Sequence, residues 1–144
     1  MSSLRARFAE VSVSKEQLPP IFITLGMKLV KVGKGRATIT MDVGKKFHNP
    51  MGTVHGGVIT DLADAAMGVA VISTLEEKEA FTTLELKMNF LRPVYAGKLT
   101  AEGKVVHRGK TIVLVESVVI NENRKAVARG VATQMILKAR PTPS

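Results

Sequence analysis

Residues 58–75 read Val-Ile-Thr-Asp-Leu-Ala-Asp-Ala-Ala-Met-Gly-Val-Ala-Val-Ile-Ser-Thr-Leu, a helix-length run that is apolar on nearly every side. Such a helix belongs inside a protein rather than on its surface, so the rest of the chain has to wrap it. Ala63, Ala65, Ala66, Gly68 and Ala70 keep its surface small, which lets a sheet approach the helix backbone closely. One residue does not fit this purely structural description. Asp64 sits in the middle of the run, where a carboxylate is costly unless it is paired, neutralised or used. Asp61 lies a turn earlier, near enough to the helix start for the dipole to favour it, and is assigned that bland role.

The flanking segments change period. Residues 27–32 and 36–43 read as strands joined by the turn Gly33-Lys34-Gly35, and residues 44–57 form a loop rich in Gly, Asn, Pro and His. Four charged residues, 76–79, end the helix, and strict alternation resumes at 83–90. There Leu84, Leu86, Met88 and Phe90 are expected on one face, and Thr83, Glu85, Lys87 and Asn89 on the other. Three more strands follow over 98–107, 111–121 and 125–137, separated by the hairpin signals Arg108-Gly109-Lys110 and 122–124. The fold class is therefore α+β: a curved antiparallel sheet of about six strands around one long central helix. Residues 27–138 form that domain. Residues 1–26 read as a helical capping segment, with a helix start at 14–17 and an interruption at Pro19-Pro20, and 139–144 as a disordered tail.

Composition excludes several classes of function. With no cysteine there is no disulfide, thiolate metal ligand or thiol nucleophile. His48 and His55 lack ligand spacing on an ordered element and His107 is remote, so no metal is expected. The net charge of +9 is spread along the chain, with one tyrosine and five phenylalanines and no recognised binding motif, which argues against nucleic acid. It leaves open either simple solubility or attraction of a small polyanion. The apolar run contains two aspartates and the N-terminus lacks an apolar signal core, so no membrane association and a cytoplasmic location are expected.

Gly56-Gly57 precedes the helix, where the first N–H groups have no intrahelical partner. The pair is either a tight turn or an unobstructed donor site for an anion or a developing oxyanion. Gly57 and Asp64 are seven residues apart, hence about 10 Å along the helix. One carbonyl needs its oxyanion donor and its base each at about 3 Å. A single chain does not easily supply both. Two helices antiparallel across a two-fold axis do, with Gly56 of one subunit meeting Asp64 of the other.

The string Asn49-x-x-Gly52-x-x-His55-Gly56-Gly57, then Leu62-Ala63-Asp64, then Thr83 to Pro93 and Ala96-Gly97, resembles the hotdog-fold acyl-CoA thioesterases, closest to the phenylacetic-acid-degradation type. The resemblance covers about residues 25–137. It implies a thioester hydrolase (EC 3.1.2 class) with no cofactor, acting on acyl-CoA and assembled as a dimer or as a tetramer built of two dimers. It also implies roles for matching positions: Asp64 as base or nucleophile, Gly56 as N–H donor to the thioester carbonyl, and Gly57 beside it at the substrate. Asn49 and His55 would orient the leaving sulfur and the loop, and Thr83 would place the attacking water. Arg92, Arg108 and Lys110 would meet the CoA nucleotide. Two alternatives share the fold. One is an enoyl-CoA hydratase or dehydratase, for which the Asp and His flanking Asn49-Pro50 at hydratase spacing are missing. The other is a non-catalytic acyl-CoA-binding regulator, for which residues 1–26 are too few to make a helix-turn-helix.

Overall fold

A computed structural model describes residues 3–8 and 18–138. Two short helices, α1 (Leu4–Arg7) and α2 (Pro20–Leu25), precede the strands β1 (Lys28–Gly33) and β2 (Arg36–Val43). A single turn of 3-10 helix, Lys45–Phe47, leads to the central helix α3 (Gly56–Ile72). The strands β3 (Glu79–Phe90), β4 (Gly97–Arg108), β5 (Ile112–Ile120) and β6 (Ala126–Lys138) complete the order. The expected helix start at 14–17 and the tail at 139–144 lie outside the described residues.

All six strands join one antiparallel sheet in the order β1-β2-β4-β5-β6-β3. The chain crosses from β2 through α3 to β3 at the far edge, crosses back to lay β4 beside β2, and fills the space between with the hairpins β4–β5 and β5–β6, so α3 lies along the inner face and β3 is left as an edge strand. Leu62, Ala63, Ala66, Met67, Ala70 and Val71 of α3 are fully buried against Ile39, Leu99, Val113 and Val127 of the sheet. The closest approach is at Gly103 on β4. A Cβ there would collide with the Ala66 carbonyl oxygen and lie 2.9 Å from the Met67 nitrogen, so only glycine lets helix and sheet backbones meet.

Element boundaries differ from the sequence expectation in two ways that matter. Helix α3 begins at Gly56 rather than 58, because His55 caps it and draws both glycines into the first turn. It ends at Ile72, where the Ser73 and Thr74 hydroxyls turn back to the Ala70 and Val71 carbonyls at 2.7 Å each. The second difference is a correction. Strict alternation put Thr83 with Glu85 on the solvent face and Leu84 in the core. In β3 a bulge intervenes: Thr83 pairs with Gln134 and the next partner pair is Glu85 with Thr133. Two residues therefore oppose one step of β6 and the phase slips. Thr83 joins Phe81, Leu86 and Met88 on the helix side, and Leu84 is 55% exposed.

Candidate active site

The start of α3 is organised by its own loop. His55 adopts extended backbone (φ −58°, ψ 131°) and its Nδ1 accepts the Gly57 N–H at 2.9 Å. That bond requires a neutral ring with its proton on Nε2, which leaves Nε2–H on an exposed side chain. The His55 carbonyl accepts from Val58 and Ile59, and the His55 N–H donates to Phe47. The Gly56 N–H has no hydrogen-bond acceptor among the described residues. It is a bare donor at the positive end of a 17-residue helix. The Phe90 ring lies 3.1 Å from where a Gly56 Cβ would stand, so any side chain there would meet the ring.

Asn49 holds the loop together. Its Oδ1 accepts from the Met51 and Thr53 N–H groups, and its Nδ2 donates to the Thr53 hydroxyl at 2.9 Å. His48 is bonded through Nε2 to the Tyr95 carbonyl at 2.7 Å, and the Val54 N–H donates to Val94. These bonds tie the loop to the 94–95 segment that follows β3 and fix where the helix begins.

Two turns along α3, Asp64 opens into a cavity of about 220 Å³. Phe8, Phe22, Phe81, Gly68, Val69 and Ile72 give it apolar walls, and Asp61, Asp64 and Thr83 supply its polar groups. No described residue donates a hydrogen bond or an ion pair to the Asp64 carboxylate. Burial raises its pKa above 3.8, and the neighbouring Asp61 carboxylate raises it further. Burial also raises Asp61, which is more exposed. Asp61 thus shares the cavity with Asp64 rather than only answering the helix dipole.

The site residues fall into two groups within one protomer. Asn49, His55, Gly56 and Gly57 surround the helix start, whereas Asp64 and Thr83 share the cavity. Gly56 and Asp64 are eight positions apart, about 12 Å along the axis. Arg92 lies near the first group, its guanidinium donating to the Ala126 carbonyl at 2.6 Å. Arg108 is at the opposite end of α3, bonded to Glu79 at 2.6 Å, Thr74 at 3.3 Å and its neighbour Gly109. Lys110 occupies the adjacent β4–β5 turn. Among the described residues no cluster of three or more His, Cys, Asp or Glu side chains could hold a metal, and no helix is long and apolar enough to cross a membrane.

Sequence reasoning did not find the aromatic walls Phe8, Phe22 and Phe81, nor Gln134, which is fully buried opposite Thr83. Gln134 had a signal. It is the one long polar side chain in the inward row Gly130, Ala132, Gln134, Ile136. A larger hollow of about 310 Å³ on the outer face of the sheet, between Arg36, Lys104, Glu102 and Glu116, is lined by none of the candidate site residues.

Residues 51–128, more than half of the chain, match the thioesterase superfamily. The chain is 32% identical over 117 residues to the 1,4-dihydroxy-2-naphthoyl-CoA hydrolase of Listeria monocytogenes, covering 81% of this chain and 95% of that one. It is 33% identical over 105 residues to the acyl-coenzyme A thioesterase PaaI of Escherichia coli, covering 72% and 73%. The solved structure of E. coli PaaI, from the phenylacetic acid degradation operon, superposes with a TM-score of 0.83 at 27% identity over 95% of this chain and 98% of that one. A curved six-stranded sheet around a helix that carries His55-Gly56-Gly57 and Asp64, together with these matches, makes the chain a hotdog-fold, PaaI-like member of the thioesterase superfamily.

Proposed function

We propose that this thioester hydrolase acts on acyl-CoA, cleaving it to free acid and CoA at a site shared between two subunits. The observation that carries the reading is Asp64, a carboxylate with a raised pKa and no partner among the described residues, in a cavity with largely apolar walls. A base held in that way removes a proton from water more readily than an exposed aspartate does. The water oxygen attacks the thioester carbonyl carbon while Asp64 takes its proton, and Thr83 holds the water. The carbonyl oxygen becomes an oxyanion on the Gly56 N–H of the partner subunit, an interaction of about 3–4 kcal/mol in known acyl-transfer sites. Collapse of the tetrahedral intermediate breaks the carbon–sulfur bond. The thiolate then takes the proton from Asp64.

Two features support a shared site. The bare Gly56 N–H and Asp64 are too far apart along one helix to serve one carbonyl. The edge strand β3 is 12 residues long, with Leu84 and Phe90 more than half exposed beside an unpaired backbone edge. An edge of that length is a template for pairing with a second copy. In an antiparallel pair of helices, the α3 C-terminus of the partner extends past the start of this chain's α3. Lys110 and Arg108 of the partner subunit then stand about 15 Å along the axis from the thioester. Arg92 approaches from the near side, and these residues meet the nucleotide end of CoA. Pairs of such dimers form the tetramer, and the protein works in the cytoplasm.

The test is thiol release from a panel of aryl-acetyl, hydroxylated aromatic and straight-chain acyl-CoAs. Asp64→Ala should lower turnover by orders of magnitude, and Asp61→Ala far less. The reverse order would sink the assignment of the base.

A further inference from the structure

Gln134 on β6 has no exposed surface, and its inward-facing neighbours Ala132 and Ile136 are apolar. Its Nε2 is 3.4 Å from the Thr83 hydroxyl oxygen, across the β3–β6 pairing and next to the bulge. Among the described residues its Oε1 has no hydrogen-bond partner. A buried carboxamide with an unsatisfied oxygen carries a desolvation penalty, whereas a methionine or leucine of similar size would carry none of that kind. Packing gives no reason for a glutamine here. Among the described residues its one side-chain hydrogen bond is with the hydroxyl of Thr83, which lines the Asp64 cavity.

We propose that Gln134 is a positioning residue, whose buried amide fixes the Thr83 hydroxyl so that its proton points into the Asp64 cavity. The inference rests on the roles given to Asp64 and Thr83 above. A hydroxyl has one proton and two lone pairs. When the Gln134 N–H₂ donates to the Thr83 oxygen, the hydroxyl proton is directed away from β6. It donates to the oxygen of the attacking water, whose own proton goes to Asp64. One lone pair of that water is held by Thr83 and the other remains for the carbonyl carbon. The bulge belongs to the same device, because an unbroken β3 would aim Thr83 at solvent.

The test is a double-mutant cycle on the intact protein with Gln134→Met, Thr83→Val and the pair, read as kcat, KM and thermal midpoint. Gln134→Met should lower kcat about three- to tenfold, the worth of one hydrogen bond, leave KM unchanged, and hold or raise the thermal midpoint. In the Thr83→Val background it should change kcat no further, and Thr83→Ser should restore its effect. Gln134→Leu provides the same readings if the methionine variant does not fold. Full kcat in Gln134→Met, a full additional loss on top of Thr83→Val, or a fall in kcat that tracks lost stability would each overturn the proposal. Asp64→Ala separates the two levels. If it leaves hydrolysis intact, the underlying site reading is wrong. If it abolishes hydrolysis while Gln134→Met does not matter, only the role of Gln134 is lost.

Discussion

At the scale of single residues, Asp64 as the proposed base sets catalysis against stability. Its folded pKa is raised above 3.8 by burial and then by Asp61. For a carboxylate the sign follows directly. The native state binds the proton more tightly than the unfolded chain, so above the folded pKa the ionised group destabilises the fold, and the penalty fades as pH falls toward 3.8. Asp64→Asn should therefore raise the thermal midpoint at pH 7, with the gain shrinking to nothing near pH 4. A variant equal to or less stable than the parent at pH 7 would contradict this. With Asp64 as the proposed base, the same shift should place the acid limb of kcat/KM above the range of a free aspartate. Because Asp61 contributes to it, Asp61→Asn should move the limb to lower pH, which a pH–rate profile would show. Asp64 was legible in the sequence because a charge interrupts an otherwise apolar helix. Thr83 was legible as a residue but not as a direction. Alternation is a period-two rule, and a one-residue bulge leaves no mark in the pattern of 83–90.

Among the elements, α3 shows how much of a site the fold sets before any substrate arrives. Its start is fixed by the His55 cap and the Asn49 loop, and its depth by the contact of Ala66 with Gly103. Small residues on the helix were readable as a sign of close packing. The glycine that receives it, 37 residues later on another strand, was not, because only the pairing of β2, β4 and β5 places it beneath the helix. Gly103→Val should separate helix from sheet and leave little folded protein, by circular dichroism or soluble yield. The same substitution at Gly44, where a Cβ would meet nothing within 4 Å and the backbone is extended (φ −173°), should leave the fold in place. Similar damage at both positions, or a well-folded Gly103→Val, would show that close approach of the helix is not what Gly103 provides.

For the whole molecule, the question is whether Gly56 and Asp64 of one helix serve one thioester or two. Mixing two inactive variants decides it. Asp64→Ala removes the proposed base. Gly56→Pro removes the proposed oxyanion donor while keeping the helix, because proline is well tolerated at the first helical position. The His55 backbone, at φ −58° and ψ 131°, already has the extended conformation that a following proline demands. The ring must displace Phe90 slightly, since a Cβ at Gly56 lies 3.1 Å from it. Each variant alone should be nearly inactive. After co-refolding in equal amounts, mixed dimers unite Gly56 from one chain with Asp64 from the other. Random pairing should then restore about a quarter of the parental sites. If both groups instead act within one protomer, no pairing rebuilds a site and the mixture stays inactive. The result also bears on β3. A charge at Leu84, exposed at the edge strand, should give a folded protein that sediments as a monomer and fails to complement in the same assay.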